Sequence, residues 1–399
     1  MQTPGITRVA IVADGTSQIT HAGGTQTVQA DDAQQARALV VRELQTQAQS
    51  LGRAIPVEIS EPSGEWKVWV HPDGRVVDAT LPTAQPQPQE PLDTPARRSF
   101  LVTEDRSEPA MAGWRGRLNS FGFKLAPGEA EQQRRAATTA VSQHWPGPRT
   151  VAVVNGKGGA GKTPTTALLS AVFARNGGAG VLAWDNNQTR GTLGWRTEQG
   201  PHESTLMELL PHIEELLGPR TQVGELARFM HHQPRDKYDV LRSKPIALAS
   251  DQRTTAEDVD RIHALAAKYY RLIIMDSGND ESDALWGRMI EHTNQLVIST
   301  TTRDDHAEAG ALLLEALRSR DRAAARLAND AVVVVTQADP KATKTDLAHI
   351  VDGYRPLARS VVTIPFDPAM VDGVLRFDSL RAATQDAWTY AAAEVARGF

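Results

Sequence analysis

From residue 149 to residue 399, short apolar runs alternate with longer stretches in which apolar residues recur at helical spacing. The runs are rich in Val and Ile, and this composition favours β-strands. Strands and helices in alternation predict an α/β fold with a doubly wound, mostly parallel sheet that helices cover on both faces. The predicted strands are 151–154, 181–184, 240–241 with 246–247, 272–275, 295–299, 332–336 and 361–364.

Residues 1–78 carry a different pattern, with short alternations of apolar and polar residues around one helical stretch. Residues 66–70 alternate as on a half-buried strand, and Pro-Asp-Gly at 72–74 predicts a turn into the next strand. Residues 31–51 keep apolar side chains at helical spacing. We therefore expect a small α+β domain of ββαβββ type, with strands that include 8–12, 57–60, 66–70 and 75–77.

A Pro- and Gln-rich stretch at 79–96 predicts an extended linker after this small domain. We divide the chain into the domain 1–78, a linker and docking segment 79–148, and the α/β domain 149–399. Within the second part, residues 114–125 combine aromatic and basic side chains. This combination suits contact with a membrane surface or a partner protein. The alternative is that these aromatic residues pack against the α/β domain.

Composition narrows the function classes. The chain of 399 residues contains no cysteine, which excludes disulfides, Cys-ligated zinc and iron–sulfur clusters. The formal net charge of −5 gives no general attraction to nucleic acid, and the basic residues near the C-terminus that DNA would need, Arg376, Arg381 and Arg397, are scattered. Since neither a long apolar run nor a basic, apolar leader is visible, we expect a cytoplasmic protein.

The strongest chemical signal follows the first strand of the α/β domain. Residues 155–163 read Asn-Gly-Lys-Gly-Gly-Ala-Gly-Lys-Thr, which completes a phosphate-loop pattern between a β-branched run and a helix-compatible stretch. Glycines let backbone N–H groups approach phosphate oxygens, Lys162 can reach the β- and γ-phosphates, and Thr163 can ligate Mg²⁺. The expected nucleotide-binding residues are Gly156, Gly158, Gly159, Ala160, Gly161, Lys162, Thr163 and Pro164.

Two aspartates end predicted strands of the same sheet. Asp276 closes the apolar run 272–275, where a Walker B carboxylate meets a Mg²⁺-bound water. The alternative for Asp276 is a cap on the following turn. Asp185 ends the strand that follows the helix of the phosphate loop. Because ligands in such folds bind outside the carboxyl ends of the strands, we expect both carboxylates near the loop.

A second lysine inside the loop, Lys157, narrows the interpretation. The run from Lys157 to Thr163 resembles the deviant Walker A motif of the ParA/MinD (SIMIBI-class) ATPases, and the resemblance extends over residues 149–399. It implies ATP and Mg²⁺ as cofactors and an ATP-dependent homodimer in which Lys157 reaches the nucleotide of the other subunit. It also implies a metal site of Thr163, with Asp276 and Asp185 acting through water. The long N-terminal extension is similar to that of actinobacterial proteins associated with type VII secretion or mobile elements.

The chain departs from the family's pattern at one position. The family usually carries Asp-x-Asp in this region, and Asn187 stands in place of the second aspartate, which positions the attacking water. An amide can accept a hydrogen bond from water but carries no charge, so we expect slow hydrolysis. The catalytic residues that the resemblance implies are Lys157, Lys162, Asp185 and Asn187. Arg190 and Arg196 lie just beyond and could touch the γ-phosphate or a partner, or could face solvent.

The loops that hold adenine in this family correspond to 336–340 and 364–368. The resemblance suggests Gln337 or Asp339 as partners of the base, and the backbone near Pro365 and Asp367 as its lining. Residues 276–280 would form the second switch segment. Residues 300–306 place two acids and a histidine after another predicted strand. Their spacing fits capping and partner contact, with a metal site as the alternative.

Three functions fit these motifs. The first is a dimerising switch ATPase that slowly hydrolyses ATP to ADP and phosphate and positions, segregates or secretes a cargo that the sequence does not identify. The second is a nucleotide-sensing binding or scaffold module that has lost hydrolysis through Asn187. The third is an enzyme of the same fold that phosphorylates a small molecule. The last predicted helix, 380–399, carries few cations and does not resemble a basic membrane tether.

Overall fold

The computed structural model divides the chain into two compact units, Met1–Glu104 and Asp105–Phe399. The structure describes residues 6–12, 16–21, 24–30, 33–61, 64–78, 109–111, 119, 125–178, 180–187, 191–244, 254–371 and 373–399. The predicted linker 79–96 lies outside the described residues, as does segment 114–125 apart from its residues 119 and 125. The three-part division of the chain stays a prediction.

The N-terminal unit is a six-stranded sheet with one helix. Its elements are β1 (Thr7–Ile11), β2 (Thr16–His21), β3 (Gly24–Gln29), α1 (Ala33–Leu51), β4 (Ile55–Glu61), β5 (Gly64–Val70) and β6 (Val76–Asp78). The strand order is β3-β2-β1-β4-β5-β6, and neighbours are antiparallel except β1 and β4. Three strands therefore precede the helix, and the ββαβββ prediction, which had two, was wrong. β2 and β3 consist largely of Thr and Gln, which give little apolar signal.

This unit has a core of its own between the sheet and α1. Val9 and Ile11 of β1 share that core with Val40 and Leu44 of the helix. Buried and exposed residues alternate strictly along β1, as expected for a sheet with one covered face. Only one face of β1 is buried, so the single helix α1 is sufficient to cover it.

The C-terminal unit contains a second sheet and most of the helices. Its elements are α2 (Glu129–Val141), β7 (Arg149–Val154), α3 (Lys162–Gly177), β8 (Val181–Asn186), α4 (Leu206–Leu209), α5 (Ile213–Leu217), β9 (His231–His232), β10 (Asp239–Leu241), α6 (Ala256–Tyr269), β11 (Leu272–Ser277), α7 (Ala284–His292), β12 (Gln295–Thr301), α8 (Asp304–Arg320), α9 (Arg322–Asn329), β13 (Val332–Thr336), α10 (Lys344–Tyr354), β14 (Ser360–Ile364) and α11 (Ala382–Ala396). Short 3-10 helices include Leu193–Trp195, Pro368–Met370 and Phe377–Ser379. The predicted strand at 246–247 lies outside the described residues.

The strand order of this sheet is β14-β13-β12-β7-β11-β8-β10-β9. Every neighbouring pair is parallel except β9 with β10. This order confirms the predicted α/β fold with a mostly parallel sheet. Residues Val332–Val335 are fully buried, because helices cover both faces and a central strand has no solvent side. Among the described residues, no helix is both long and apolar enough to cross a membrane.

The two faces of the sheet carry separate apolar cores. On one face, Phe173 of α3 and Trp388 of α11 lie in the same cluster as the strand residues Val151 and Val153. On the other face, helices α6, α7 and α8 pack over a cluster that includes Trp184 of β8. Between these layers, β7, β11 and β8 are adjacent and parallel, so the loops after them meet. We call the ends of these three strands, with the loops that follow, the carboxyl edge.

Candidate nucleotide-binding site

The phosphate loop is anchored by Asn155, the first residue after β7. Its Nδ2 donates to the backbone oxygen of Ser299 over 2.8 Å, and its Oδ1 accepts from the backbone N–H of Lys157 over 2.9 Å. The Ser299 hydroxyl in turn donates to the backbone oxygen of Ala160 over 2.9 Å. The start and the middle of the loop are therefore tied to β12, the neighbouring strand.

Two glycines give the loop its path. Gly159 and Gly161 have φ angles of 80° and 90°, a region that residues with a side chain rarely adopt. A Cβ on Gly161 would also lie 3.1 Å from the Ser299 hydroxyl. The helix α3 begins at the next residue, Lys162, so its N-terminal end and the loop N–H groups are available to an anion.

Lys162 is buried in the centre of the loop, with 8% of its surface exposed. Its Nζ donates to the backbone oxygens of Asn155 and Lys157 over 2.9 and 3.0 Å, and to Asn279 Oδ1 over 2.6 Å. Burial lowers the pKa of Lys162, while the carboxylates of Asp276 and Glu281 act in the opposite direction. The ammonium thus has neutral acceptors that phosphate oxygens could replace. The Lys157 side chain, by contrast, is exposed.

The Thr163 hydroxyl lies between two elements of the carboxyl edge. It donates to Asp276 Oδ2 over 2.6 Å and lies 2.8 Å from the hydroxyl of Thr192. The second oxygen of the Asp276 carboxylate, Oδ1, is buried and has no hydrogen-bond partner in the described part of the chain. A buried carboxylate oxygen without a partner is rare in a structural role, because its desolvation is uncompensated.

Asp185 is the second buried carboxylate of the carboxyl edge, with 1% of its surface exposed. The backbone N–H of Asn187 donates to its Oδ1 over 3.2 Å, and a Cβ on Gly191 would lie 2.1 Å from its Oδ2. Burial raises the pKa of Asp185, and the nearby Asp276 raises it further. Burial also raises the pKa of Asp276, against the effects of Thr163 and Lys162. Two adjacent buried carboxyl groups and a hydroxyl are hard oxygen donors that fit Mg²⁺.

A cavity of about 250 Å³ opens beside the loop glycines. It is lined by Gly159, Gly161, Pro164, Thr301, Thr336, Gln337, Ala338, Phe366, Asp367, Met370 and Val371. The cavity therefore joins the phosphate loop to the segments after β13 and β14, the two loops that the sequence suggested for a base.

A sequence comparison identifies the family. The CobQ/CobB/MinD/ParA nucleotide binding domain (CbiA) matches residues 151–378. The chain belongs to this family. Its predicted resemblance to ParA/MinD proteins is thereby confirmed. A search of curated protein sequences found no match.

Solved structures of ParA and MinD proteins are similar to part of the chain. A ParA family ATPase from Chlorobium tepidum is 20% identical, over 62% of this chain and 98% of that one, with a TM-score of 0.49. MinD from Pyrococcus horikoshii, solved with Mg-ADP, is 17% identical, over 61% of this chain and 94% of that one, with a TM-score of 0.45. The Aquifex aeolicus MinC:MinD complex gives 16% identity, 61% and 94% coverage, and a TM-score of 0.42.

The residues suggested for the base in this ParA/MinD-family chain are placed differently from one another. Gln337 lines the cavity and donates through Nε2 to the backbone oxygen of Ala342 over 2.8 Å. Asp339 and Pro365 are not among the residues that line it, and the Asp339 carboxylate accepts from the backbone N–H of Lys341 over 2.8 Å. Gln337 is therefore better placed than Asp339 to contact a ligand in the cavity through its side chain.

Asp367 lines the cavity but is also committed to the fold. Its carboxylate accepts from the backbone N–H groups of Ala369 and Arg381, over 3.1 and 2.8 Å. These bonds lower the pKa of Asp367, although burial opposes them. The carboxylate thus ties the loop after β14 to the start of α11, and shapes the cavity through the backbone.

Asn187 and the arginines after it occupy separate places. The Asn187 amide faces the segment after β11, since its Oδ1 would lie 3.7 Å from a Cβ on Gly278. Arg190 lies outside the described residues. Arg196 donates to the backbone oxygens of Met370 and Gly373 over 2.6 and 2.9 Å. Arg196 thus joins the segment after β8 to the segment that contains Met370, one of the residues lining the cavity.

Two acceptors next to the phosphate loop were not given a role in the site from the sequence, although Asn279 lies in the predicted second switch segment 276–280. Asn279 accepts from Lys162, and a carboxylate oxygen of Glu281 lies 2.6 Å from the place of a Cβ on Gly156. Both follow Asp276 by a few residues. Their position just after the strand that carries the Walker B aspartate is the signal that could have identified them.

Residues 300–306 connect the end of β12 to the first turn of α8. Asp304 is the first residue of α8, and Arg303 donates to Asp305 over 2.9 Å. His306 Nδ1 lies 2.8 Å from the Thr301 hydroxyl, and its backbone oxygen accepts from Asn155 Nδ2 over 3.0 Å. Within the described ranges, no group of three His, Asp or Glu side chains is arranged to hold a metal. His306 supports the phosphate loop through its backbone oxygen.

Proposed function

We propose that the chain is a ParA/MinD-type switch ATPase, which binds ATP and Mg²⁺ at the carboxyl edge, dimerises with ATP and hydrolyses it slowly in the cytoplasm. One observation carries this proposal. Lys162, Thr163, Asp185 and Asp276 come from three adjacent parallel strands or the loops after them and lie together, with one lysine and two carboxyl groups buried. The family match supports the nucleotide class.

The loop residues would hold the phosphates. Phosphate oxygens would take the place of the acceptors that now surround Lys162 Nζ, and the loop N–H groups would add neutral donors. Thr163 would ligate Mg²⁺, with Asp276 and Asp185 as partners of its water ligands, and the bound ion would neutralise charge on the phosphates. The unpaired Asp276 Oδ1 is the acceptor that such a water requires.

The residues that would orient the attacking water explain why we expect slow hydrolysis. Asp185 holds the backbone of Asn187, and the Asn187 amide faces Gly278 across the site. The amide oxygen can orient a water by accepting its hydrogen bond. It does not take up the proton, and it adds no negative charge near the attacking oxygen. Catalysis would then rest on positioning and on the charge of Lys162.

Lys157 supports dimerisation as the switch. The Lys157 backbone is held by hydrogen bonds with the side chains of Asn155 and Lys162. Its side chain is exposed, so the ammonium can reach a second subunit. A MinD relative was solved with Mg-ADP and another in complex with MinC. By analogy, we propose that the ATP-bound dimer binds a partner protein and that hydrolysis releases it.

We assign the binding of the partner to residues 1–148. We propose a division into a domain 1–78, a linker and docking segment 79–148 and an ATPase domain 149–399. In this proposal the aromatic and basic residues 114–125 dock a cargo, with a membrane surface or DNA as alternative targets. A role in secretion or in mobile-element partition follows the resemblance of the extension. Purification of the chain with its native neighbours would identify the cargo.

A nucleotide-sensing module without hydrolysis is the second candidate, and Asn187 is the observation that favours it. Turnover of purified wild type and Asn187→Asp separates the two. We expect slow turnover in the wild type and a rise of roughly ten- to a hundredfold in Asn187→Asp, since a charged acceptor near the water is worth ~1–3 kcal/mol in the barrier. ATP affinity should not change.

The opposite results are informative as well. A fall in turnover with intact ATP binding would show that the amide is the working residue and that the alignment with the family's aspartate is wrong. No turnover in either chain would favour the binding module. Lys162→Ala serves as the control for contaminating ATPases, because it removes the lysine on which this site depends.

A further inference from the structure

A second cavity, of about 550 Å³, lies away from the phosphate loop. It is bounded by α2, the last turn of α3, the turn between β9 and β10, the 3-10 helix Phe377–Ser379 and α11. Arg175 follows Lys162 by 13 residues on α3, so this cavity and the phosphate loop lie ~20 Å apart. Its volume is typical of sites for small molecules, which span roughly 300–1,000 Å³.

The wall of this cavity is rich in positive charge. Its charged lining residues are Arg134, Arg175, Arg235, Lys237, Asp378 and Asp386. Four cations thus face two carboxylates. A third carboxylate, that of Asp236, is buried behind the wall. The surplus of cations favours an anionic ligand.

Two of the cations are already paired. Arg175 donates to Asp236 Oδ1 over 3.1 Å and to Asp378 Oδ1 over 2.6 Å, and its guanidinium lies 5.3 Å from the centre of the Phe377 ring. Arg134 and Asp386 form an ion pair of 3.6 Å. These pairs shape the wall, and Arg175 is held too firmly to be the first contact of a ligand.

The other two cations have no such partner. In the described part of the chain, no carboxylate lies within ion-pair distance of Arg235 or Lys237. Both residues belong to the short turn between β9 and β10, in which the backbone N–H of Lys237 donates to the backbone oxygen of Gln233 over 2.7 Å. One rigid turn therefore presents two unneutralised charges to the same cavity.

The backbone of Lys237 is strained. Its φ angle is 67°, and among the described residues it is the one residue other than glycine with a positive φ. Glycine would adopt this conformation without the steric cost of a Cβ. Strained backbone persists mostly where a side chain is needed in a fixed place. The strain therefore indicates that the lysine side chain at this position serves a purpose other than stability.

We propose that this cavity binds a small molecule with clustered phosphate groups, and that Arg235 and Lys237 are its charged contacts. A guanidinium can bind two phosphate oxygens at once, and the lysine ammonium adds a point charge beside it. A cavity of this volume between α2, α3, α11 and the turn suits a small ligand. The site is separate from the proposed ATP site.

Calorimetric titration with pyrophosphate tests the proposal. All chains carry Lys162→Ala, which weakens the phosphate loop as a competing site. We expect one binding event in this chain, and roughly tenfold weaker binding when Arg235→Gln or Lys237→Gly is added. Arg322→Gln is the matched control, because Arg322 is an exposed arginine of α9 that lines neither cavity. Equal affinity in all four chains, or no binding in the first, would overturn the proposal.

Thermal unfolding tests whether the backbone of Lys237 is strained. Lys237→Gly should raise the midpoint of thermal unfolding, because it relieves the strained backbone; a lower midpoint would contradict the strain argument.

Sedimentation with phosphatidylglycerol vesicles tests a lipid headgroup as the ligand. We expect no sedimentation that depends on Arg235 or Lys237. Sedimentation lost in both variants would assign the cavity to a lipid and overturn the small-molecule ligand.

Discussion

Two regions of the C-terminal unit that bury polar groups differ in how those groups are paired. At the carboxyl edge, Asp276 Oδ1 has no described partner, and burial raises the pKa values of Asp185 and Asp276. At β9, His231 is fully buried, yet Nδ1 accepts from the Gly200 N–H over 3.0 Å and Nε2 lies 2.8 Å from the Ser204 oxygen. The first region leaves a carboxylate oxygen without a described partner, whereas both ring nitrogens of His231 have one.

This difference separates a ligand site from a structural network. A buried polar group without a partner costs stability, and at the carboxyl edge nucleotide and Mg²⁺ would supply the partner. A fully paired group supports the fold and has no capacity left for a ligand. The carboxyl edge therefore should gain stability from nucleotide and Mg²⁺, whereas the β9 region should respond only to changes that break its pairs. Three variants test this contrast.

The largest effect is expected for Lys162→Ala. It should weaken binding of a labelled ATP analogue by at least ~100-fold, since each lost charge-assisted hydrogen bond is worth ~1.5–3 kcal/mol. The fold should survive, because Lys162 bonds mostly to exchangeable loop acceptors. Unchanged affinity would remove the nucleotide assignment.

Lys268 provides the matched control. Its Nζ donates to three acceptors as well, here the backbone oxygens of Leu216, Leu217 and Gly218, over 3.1, 3.0 and 2.8 Å. Lys268→Ala should lower the free energy of unfolding and leave ATP affinity unchanged. A comparable loss of affinity in both variants would show that Lys162 acts through the fold.

The next effect concerns the pH dependence of stability at β9. Burial lowers the pKa of His231 to about 4, and a proton on Nδ1 would face the Gly200 N–H. Since the folded pKa lies below the unfolded value of about 6.5, the contribution of His231 is complete above pH ~6.5 and is lost as pH falls towards 4. We expect a loss of roughly 2–3 kcal/mol in unfolding free energy over this range.

Denaturant titrations at several pH values measure the slope of the unfolding free energy against pH. His231→Gln should reduce stability at neutral pH and flatten the slope between pH 4 and 6.5. His232, the exposed neighbour that pairs with Asp239, is the control, and His232→Gln should keep the acid slope. The same slope in His231→Gln and in the wild type would assign it to other groups.

The smallest of the three effects is expected for Asp276→Asn. Without nucleotide and Mg²⁺, the neutral amide should raise the free energy of unfolding by ~1–2 kcal/mol, because it removes a buried charge whose desolvation Thr163 and Lys162 offset only in part, and the amide oxygen still accepts from Thr163. Mg²⁺-dependent ATP binding should weaken. Chemical denaturation and ATP titration measure the two effects. A less stable nucleotide-free variant would mean that Asp276 is structural.

Features set by local sequence could be predicted. The phosphate loop, its strand and its helix are contiguous, and the parallel sheet follows from buried β-branched runs such as 332–336. β9 is two residues long, and its His-His sequence carries no periodic signal. One of the three strands before α1 escaped prediction for a related reason, since the Thr and Gln residues of β2 and β3 do not mark a buried face.

Contacts between distant segments could not be predicted. The bond from Lys162 to Asn279 joins residues 117 positions apart, and it depends on the register of β11 against β7. By sequence position, Gln337 and Asp339 are equally suited to contact the base. The structure separates them because Asp339 caps its own turn. Such outcomes depend on side-chain geometry that no spacing rule contains.

Light scattering of the full chain tests the central claim, an ATP-driven dimer, most directly. With Mg²⁺ and a non-hydrolysable ATP analogue, the mass should double relative to the same chain with ADP, and Lys157→Ala should keep the mass seen with ADP while still binding the analogue. The same mass with ADP and with the analogue, or a Lys157→Ala chain that doubles its mass like the wild type, would contradict the account.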